Sequence, residues 1–212
     1  MPNNQRVKPK TYVYIDSFNL YYGALNKRNK IGLKWLDINA WLTKILPRND
    51  IAKIKFFTAR VSGKYDPTKP QRQDLFFRAL KTIPNFEIIY GTFLFRDSKI
   101  HITHDVKIIA KVPEEKGTDV NLAVHLLNDA HKKQFDIAVI VSNDSDLAGA
   151  VKIVTQELRM PVGIINPFDK FNKTIIQYAS FKQLAREKAI LSSQFPASLT
   201  DSIGTFTKPP SW

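Results

Sequence analysis

Asp144 and Asp146 stand one residue apart in the stretch DIAVIVSNDSDLAGAV (Asp136 to Val151), just after an apolar run that ends at Val141. Asp16 closes another β-rich run, TYVYID, and Asp119 precedes the helical pattern VNLAVHLLNDAHKK. Carboxylates crowded together repel one another, and burying them unpaired is costly. A hard cation removes that cost. Mg²⁺ and Mn²⁺ take oxygen ligands, keep waters, and admit a phosphate oxygen into the same shell. Such an ion can activate water and stabilise the leaving oxygen in phosphodiester hydrolysis. Asp16, Asp119, Asp144 and Asp146 are therefore candidate metal ligands and catalytic residues. Taken singly, each reads first as a helix cap or Asx-turn residue, with Asp144 or Asp146 capping the LAGAV pattern. Only their joint placement favours the metal.

That placement depends on the elements around them. Strand-like runs are expected at TYVYID, IKFFTARV, FEIIYGTFLF, IAVIV and VGIIN, with helical patterns between most of them. Asp37 is expected to cap INAWLTKIL, and Thr118 or Asp119 to cap the helix before IAVIV. KIHITHDVKIIAKV alternates like a hairpin turning near His104 and Asp105. Asn172 to Lys188 reads as a last helix. Strands alternating with helices, and an IAVIV run apolar throughout, predict an α/β fold with a mainly parallel sheet covered on both faces. In such a sheet ligands bind beyond the carboxyl ends of the strands. If the TYVYID and IAVIV strands are neighbours, the acids converge there.

Thirty-two Lys and Arg against 19 Asp and Glu leave a net charge of +13 on 212 residues, a field suited to a polyanionic partner. Cysteine is absent, which excludes disulfides and thiolate metal sites and fits a reducing cytoplasm. No apolar run approaches a membrane span, and the N-terminus has no apolar signal-peptide core. The expected organisation is a flexible stretch over 1–10, a folded domain over 11–188 and an extended tail over 189–212. Phe195, Phe206 and Trp212 are possible anchors of that tail.

YIDSFNLYYG, EEKGTDVNLAVHLLNDA and VIVSNDSDLAGAV together resemble, in order, the motifs of the NYN domain family, in its bacterial branch related to LabA. The resemblance runs from about Tyr12 to Lys188. It implies a PIN-like three-layer α/β/α sandwich and a metal-dependent ribonuclease, with Mg²⁺ or Mn²⁺ as cofactor and RNA as partner. Single-stranded DNA stays open as a partner, and homodimers are common among PIN-like proteins. The family's first acid falls on Asp16, its helix-start acid on Asp119 and its paired acids on Asp144 and Asp146. Its first-motif Asn falls on Asn19, suited to orienting a water or a phosphate. Ser142, Asn143 and Ser145 are candidates for hydrogen bonds to substrate at the rim. Many family members carry another Asp where this chain has His125, which reads here as an ordinary helix residue ahead of a supporting base.

Arg60, Arg72 and Lys116 are the candidate phosphate contacts, with Lys64 and Lys69 read rather as solvated surface charges. Tyr21, Tyr22, Phe56 and Phe57 could stack bases, but aromatic residues at element spacing are mostly core. His101 and His104 are three apart on a strand pattern and so face opposite sides, which argues against a zinc pair. No GxSxG, Walker A or GxGxxG pattern occurs, and Phe18 stands where a haloacid-dehalogenase-like phosphatase would need a second Asp. A non-catalytic RNA-binding module and a metal-dependent phosphatase remain the rival readings.

Overall fold

The computed structural model describes residues 7–26, 32–64, 66–101 and 107–212. β1 (Lys10–Asp16) runs into α1 (Ser17–Leu20), which continues as a widened turn over Tyr21–Leu25. There follow α2 (Ile38–Ile45), β2 (Asp50–Thr58), α3 (Thr68–Leu80) and β3 (Phe86–Tyr90). A hairpin of β4 (Thr92–His101) and β5 (Lys107–Lys116) leads to α4 (Thr118–His131) and β6 (Ile137–Val141). A tight turn at Ser145–Leu147 opens α5 (Ala148–Lys152), before β7 (Val162–Asn166), α6 (Lys173–Ile176), β8 (Phe181–Leu184) and α7 (Glu187–Leu191). The last elements are β9 (Ser198–Asp201) and β10 (Gly204–Thr207).

Six strands form one parallel sheet in the order β3-β2-β1-β6-β7-β8. The chain builds outward from β1 on one side and from β6 on the other. β1 and β6 therefore flank the topological switch point, where an open parallel sheet leaves a crevice at its carboxyl edge.

The sheet is buried on both faces because its strands are apolar on both. Along β1, Val13 and Ile15 join a core with Leu20, Trp35, Trp41 and Phe77, while Tyr14 joins another with Leu122, Leu126 and Val151. β6 divides in the same way, Val139 and Val141 against Ala138 and Ile140. Helices α1, α2 and α3 cover the first face, α4 and α5 the second, as expected of a three-layer sandwich.

Several elements differ from the sequence reading. FEIIYGTFLF is two strands, not one. The Gly91 amide still donates to the Thr58 carbonyl at 2.8 Å, and beyond it the chain leaves the sheet to pair with β5. The stretch from Asn172 to Lys188 is not one helix but α6, the sheet-edge strand β8 and the start of α7. A Cβ at Gly163 would come within 2.1 Å of the Phe181 ring, so glycine lets that ring lie across β7 where β8 pairs. Such a contact has no helical or strand periodicity to announce it.

The segment after residue 188 is not extended throughout. β9 and β10 pair as a hairpin, and Arg78 of α3 donates to both carboxylate oxygens of Asp201, each at 2.7 Å. Phe195 and Phe206 are buried, and Trp212 packs on Trp35 and Phe76. At the other end, Lys10 already belongs to β1, while residues 1–6 lie outside the described residues. So do His104 and Asp105. No helix among the described residues is long and apolar enough to cross a membrane.

Candidate metal centre

Asp16 ends β1 and caps α1. Its Oδ1 accepts from the Phe18 and Asn19 amides at 3.1 and 3.0 Å, which meets orphan donors of the first helical turn. Its Oδ2 accepts from Asn19 Nδ2 at 2.6 Å and from the Ser142 hydroxyl at 3.1 Å. Ser142 follows β6, so this last bond ties the two strands that flank the switch point.

The loop after β6 is held from several sides. Asn19 Oδ1 accepts from the Asn143 amide at 3.1 Å, and Ser142 Oγ accepts from the Asp144 amide at 3.1 Å. The Asn143 side chain bridges to the Lys170 carbonyl and the Asn172 amide, at 3.1 and 2.8 Å. Asp144 then caps the Ser145–Leu147 turn, its Oδ1 accepting from the Asp146 amide at 3.0 Å.

Asp119 arrives from the second face, in the first turn of α4. The cap expected at Thr118 or Asp119 lies instead at Gly117, whose φ of 90° only glycine adopts readily. That left-handed residue turns the hairpin end into the helix and leaves Asp119 in its first turn.

Asp16, Asp119 and Asp144 each offer a carboxylate oxygen, and the three oxygens lie within 4.8 Å of one another. Asp146 is not among them: it is exposed, and its amide supports Asp144. Burial raises the pKa of Asp16, its hydrogen bonds with Asn19 and Ser142 lower it, and the Asp144 charge raises it further. The net shift is upward. A buried carboxylate held by neutral donors beside a second carboxylate is short of positive charge, and an all-oxygen donor set suits a hard divalent cation. The residues fit the metal that the sequence suggests.

The other predicted residues divide. Ser142 and Asn143 are in the hydrogen-bond web, and Ser145 starts the turn between Asp144 and Asp146. Lys116 ends β5, exposed, three residues before Asp119. Arg60 forms an ion pair with Asp74 and lies over the Phe77 and Tyr90 rings, 5.2 Å from each centroid. Arg72 bonds Thr68 Oγ1 and, at 2.8 Å, Asp66. Asp66 is in turn held at a pKa of about 2, chiefly by the Thr68 hydroxyl and then by Arg72. Phe56 and Phe57 are core, while Tyr22 is exposed.

His125 belongs to a group that sequence reasoning missed. Its Nδ1 lies 3.2 Å from Lys55 Nζ, which donates to Asp129 Oδ2 at 2.6 Å. Tyr14 donates its hydroxyl to the same oxygen at 2.7 Å. Lys55 and Asp129 are 7% and 6% exposed, so this is a buried ion pair. Two signals mark it: a lysine inside the apolar strand IKFF, and Asp129 four residues after His125 on one helical face.

Comparison with known proteins places the chain. It is 28% identical to 6-hydroxy-3-succinoylpyridine 3-monooxygenase HspA of Pseudomonas putida, over 96% of this chain and 75% of that protein. A Vibrio parahaemolyticus protein of unknown function shares its fold, with a TM-score of 0.58 and 18% identity across 87% of this chain and 97% of that one. The model of the NYN domain matches residues 10–184, which takes in Asp16, Asn19, Asp119, Asp144 and Asp146. With the parallel sheet and the carboxylates at its switch point, that match makes this chain a member of the NYN domain family.

Proposed function

We propose that the protein is a Mg²⁺- or Mn²⁺-dependent endoribonuclease. The observation that carries this reading is the meeting of Asp16, Asp119 and Asp144 within 4.8 Å, on a chain of net charge +13. When bound, the divalent ion supplies charge neutralisation for a phosphate and a more acidic water.

The chain's own residues do the rest. Asp16, Asp119 and Asp144 hold the ion. Asn19 and Ser142 fix the Asp16 carboxylate, as supporting hydrogen bonds do for metal ligands generally. Asp144 and Asp146, on the open side, orient an attacking water or accept its proton. Lys116, beside the entrance, contacts the backbone of the RNA, and the overall positive field recruits it. Arg60 and Arg72, engaged with Asp74 and Asp66, shape the surrounding surface more than they bind phosphate directly.

The name of the Pseudomonas relative offers a second reading, oxidation of a hydroxypyridine that carries a succinoyl side chain. A cleft lined by aromatic and basic side chains beside α1 favours it. The carboxylate trio favours hydrolysis. Labelled single-stranded and structured RNA, incubated with Mn²⁺, Mg²⁺ or EDTA, decides between them, with Asp144→Asn in parallel. Cleavage that needs metal and Asp144 supports the nuclease. RNA bound but intact in every metal would make the protein a regulatory RNA-binding module. Reductant-dependent oxidation of 6-hydroxy-3-succinoylpyridine, with RNA untouched, would move the assignment to the relative's chemistry.

A further inference from the structure

A cleft of about 690 Å³ opens on the α1 and α3 side of the sheet, within the size range of small-ligand sites. Ser17, the residue after Asp16, lines it, so one edge of the cleft is a single residue along the chain from Asp16, although none of the three carboxylates lines it. The Ser17 side chain is buried, yet its Oγ finds no hydrogen-bond partner among the described residues. Buried hydroxyls rarely stay so unless something else meets them.

Two further features say what kind of ligand that is. Lys34, Lys69 and Arg72 all line the cleft, against a single side-chain carboxylate, Asp66, which Arg72 holds. Burial and the neighbouring Arg72 charge both push the Lys34 ammonium below its ordinary pKa, a repulsion that a bound anion would relieve. The walls are aromatic. Tyr21 and Trp212 both line the cleft, with Lys34 Nζ 5.6 Å from the Tyr21 centroid and Trp212 edge-on to Phe76 at 5.6 Å between ring centroids. Cations that attract a phosphate, next to flat rings that accept a base, are the two components of single-stranded nucleic-acid binding.

We propose that this cleft seats one unpaired nucleotide of the RNA next to the scissile phosphate, and so selects single-stranded over duplex substrate. This rests on the nuclease reading and adds to it where the strand lies. The base packs against the aromatic lining that includes Tyr21 and Trp212. Lys34 and Lys69 take the phosphate, and Ser17 Oγ bonds phosphate or sugar. A duplex keeps its bases stacked inside and cannot offer one to the cleft.

The test uses full-length Asp144→Asn protein in EDTA, so that binding is read without cleavage. Thiouridine-substituted single-stranded RNA is photo-crosslinked to it and the attached peptides are identified by mass spectrometry. Crosslinks are expected on the peptides holding Tyr21 or Trp212. Lys69→Ala, an exposed change at the start of α3, is expected to weaken single-strand affinity about tenfold and lower its salt slope by about 1. Ser17→Ala is expected to weaken it severalfold, and neither change to affect duplex binding. If wild-type protein cleaves RNA with metal, but crosslinks fall elsewhere and Lys69→Ala binds normally, the cleft assignment is overturned and the nuclease reading stands. If the wild type neither binds nor cleaves RNA, both fall. Nicotinate, the small-molecule probe, overturns the assignment if it binds the cleft and RNA cannot displace it.

Discussion

At one end of α4, Asp129 takes a 2.6 Å ion pair from Lys55 and a hydrogen bond from Tyr14; at the other, Asp119 meets Asp16 and Asp144 at the mouth of the sheet. Both groups lie on the same side of β1, since Tyr14 and Asp16 are two residues apart and strand side chains alternate. They differ in who supplies the positive charge. Asp129 receives it from within the fold. Asp16 is instead held by amides, Asn19 and Ser142, all neutral. A carboxylate neutralised by its own chain is finished as a structural element. One stabilised by neutral donors alone retains its charge for something outside, and that is the physical case for a cation at the crevice. The buried pair sits roughly 7 Å further down the strand, where it fixes α4 against β1 and β2 and so helps set the height of Asp119.

Breaking the buried pair is expected to have the largest effect. Asp129→Ala leaves Lys55 charged and unpaired in the core and should cost about 3–5 kcal/mol in urea unfolding. Lys55→Met combined with Asp129→Leu should recover much of that, because no charge is stranded. A loss below about 1 kcal/mol for the single change would remove the structural half of the comparison.

Asp144→Asn tests the other half. Cleavage should fall by about 10²–10³-fold, the range seen when one preorganised electrostatic group is removed. Unfolding free energy should hold or rise, since a repulsion on Asp16 disappears. A stability loss like that of Asp129→Ala would mean that Asp144 is structural too.

Asn19→Ala removes the 2.6 Å bond that orients Asp16 and the one that holds the Asn143 amide. Mn²⁺ affinity by calorimetry should drop about 10–100-fold, as it does when groups behind metal ligands are lost. An unchanged affinity would place Asn19 with the fold alone.

The smallest effect concerns pH. The pKa of Asp16 is raised in the folded chain, so without metal its protonated form stabilises the fold at low pH, and that contribution fades as pH rises through the folded value. Mn²⁺ should therefore raise the melting temperature at pH 7 and progressively less toward pH 4, where protons compete for the same oxygens. Asp201 runs the opposite way. Arg78 depresses its pKa, so its contribution is present above the ordinary carboxylate range and is lost as pH falls through the depressed value. Melting curves at several pH values, with and without Mn²⁺, separate the two. A metal-induced rise that grows toward acid would contradict the assignment of the site.

The acids at the candidate metal centre were legible because each sits at a local boundary. Asp16 and Asp144 lie where an apolar strand gives way to a helical turn, and short polar side chains cap such turns. The parallel sheet was legible from apolar runs alternating with helices, whereas the neighbouring of β1 and β6 entered the sequence reading as a condition that the fold meets. Asp146 could not be separated from Asp144 on spacing alone. Only the folded chain brings the Asp144 carboxylate up to those of Asp16 and Asp119 and leaves Asp146 exposed beside them, its amide bonded to Asp144.

The sequence by itself determined most of the strand and helix periodicities, the caps at Asp37 and Asp144 and the placing of acids at strand ends of a basic chain, because these depend on residues a few positions apart. Tertiary structure decided the rest. The bond between Tyr14 and Asp129 spans 115 residues, and that between Ser142 and Asp16 spans 126. The cleft is closed by residues from α1, α3 and the C-terminal segment. Contacts at such separations follow from strand order, from the seating of α4 and from a glycine that admits a ring, and no local pattern encodes which distant side chain will arrive.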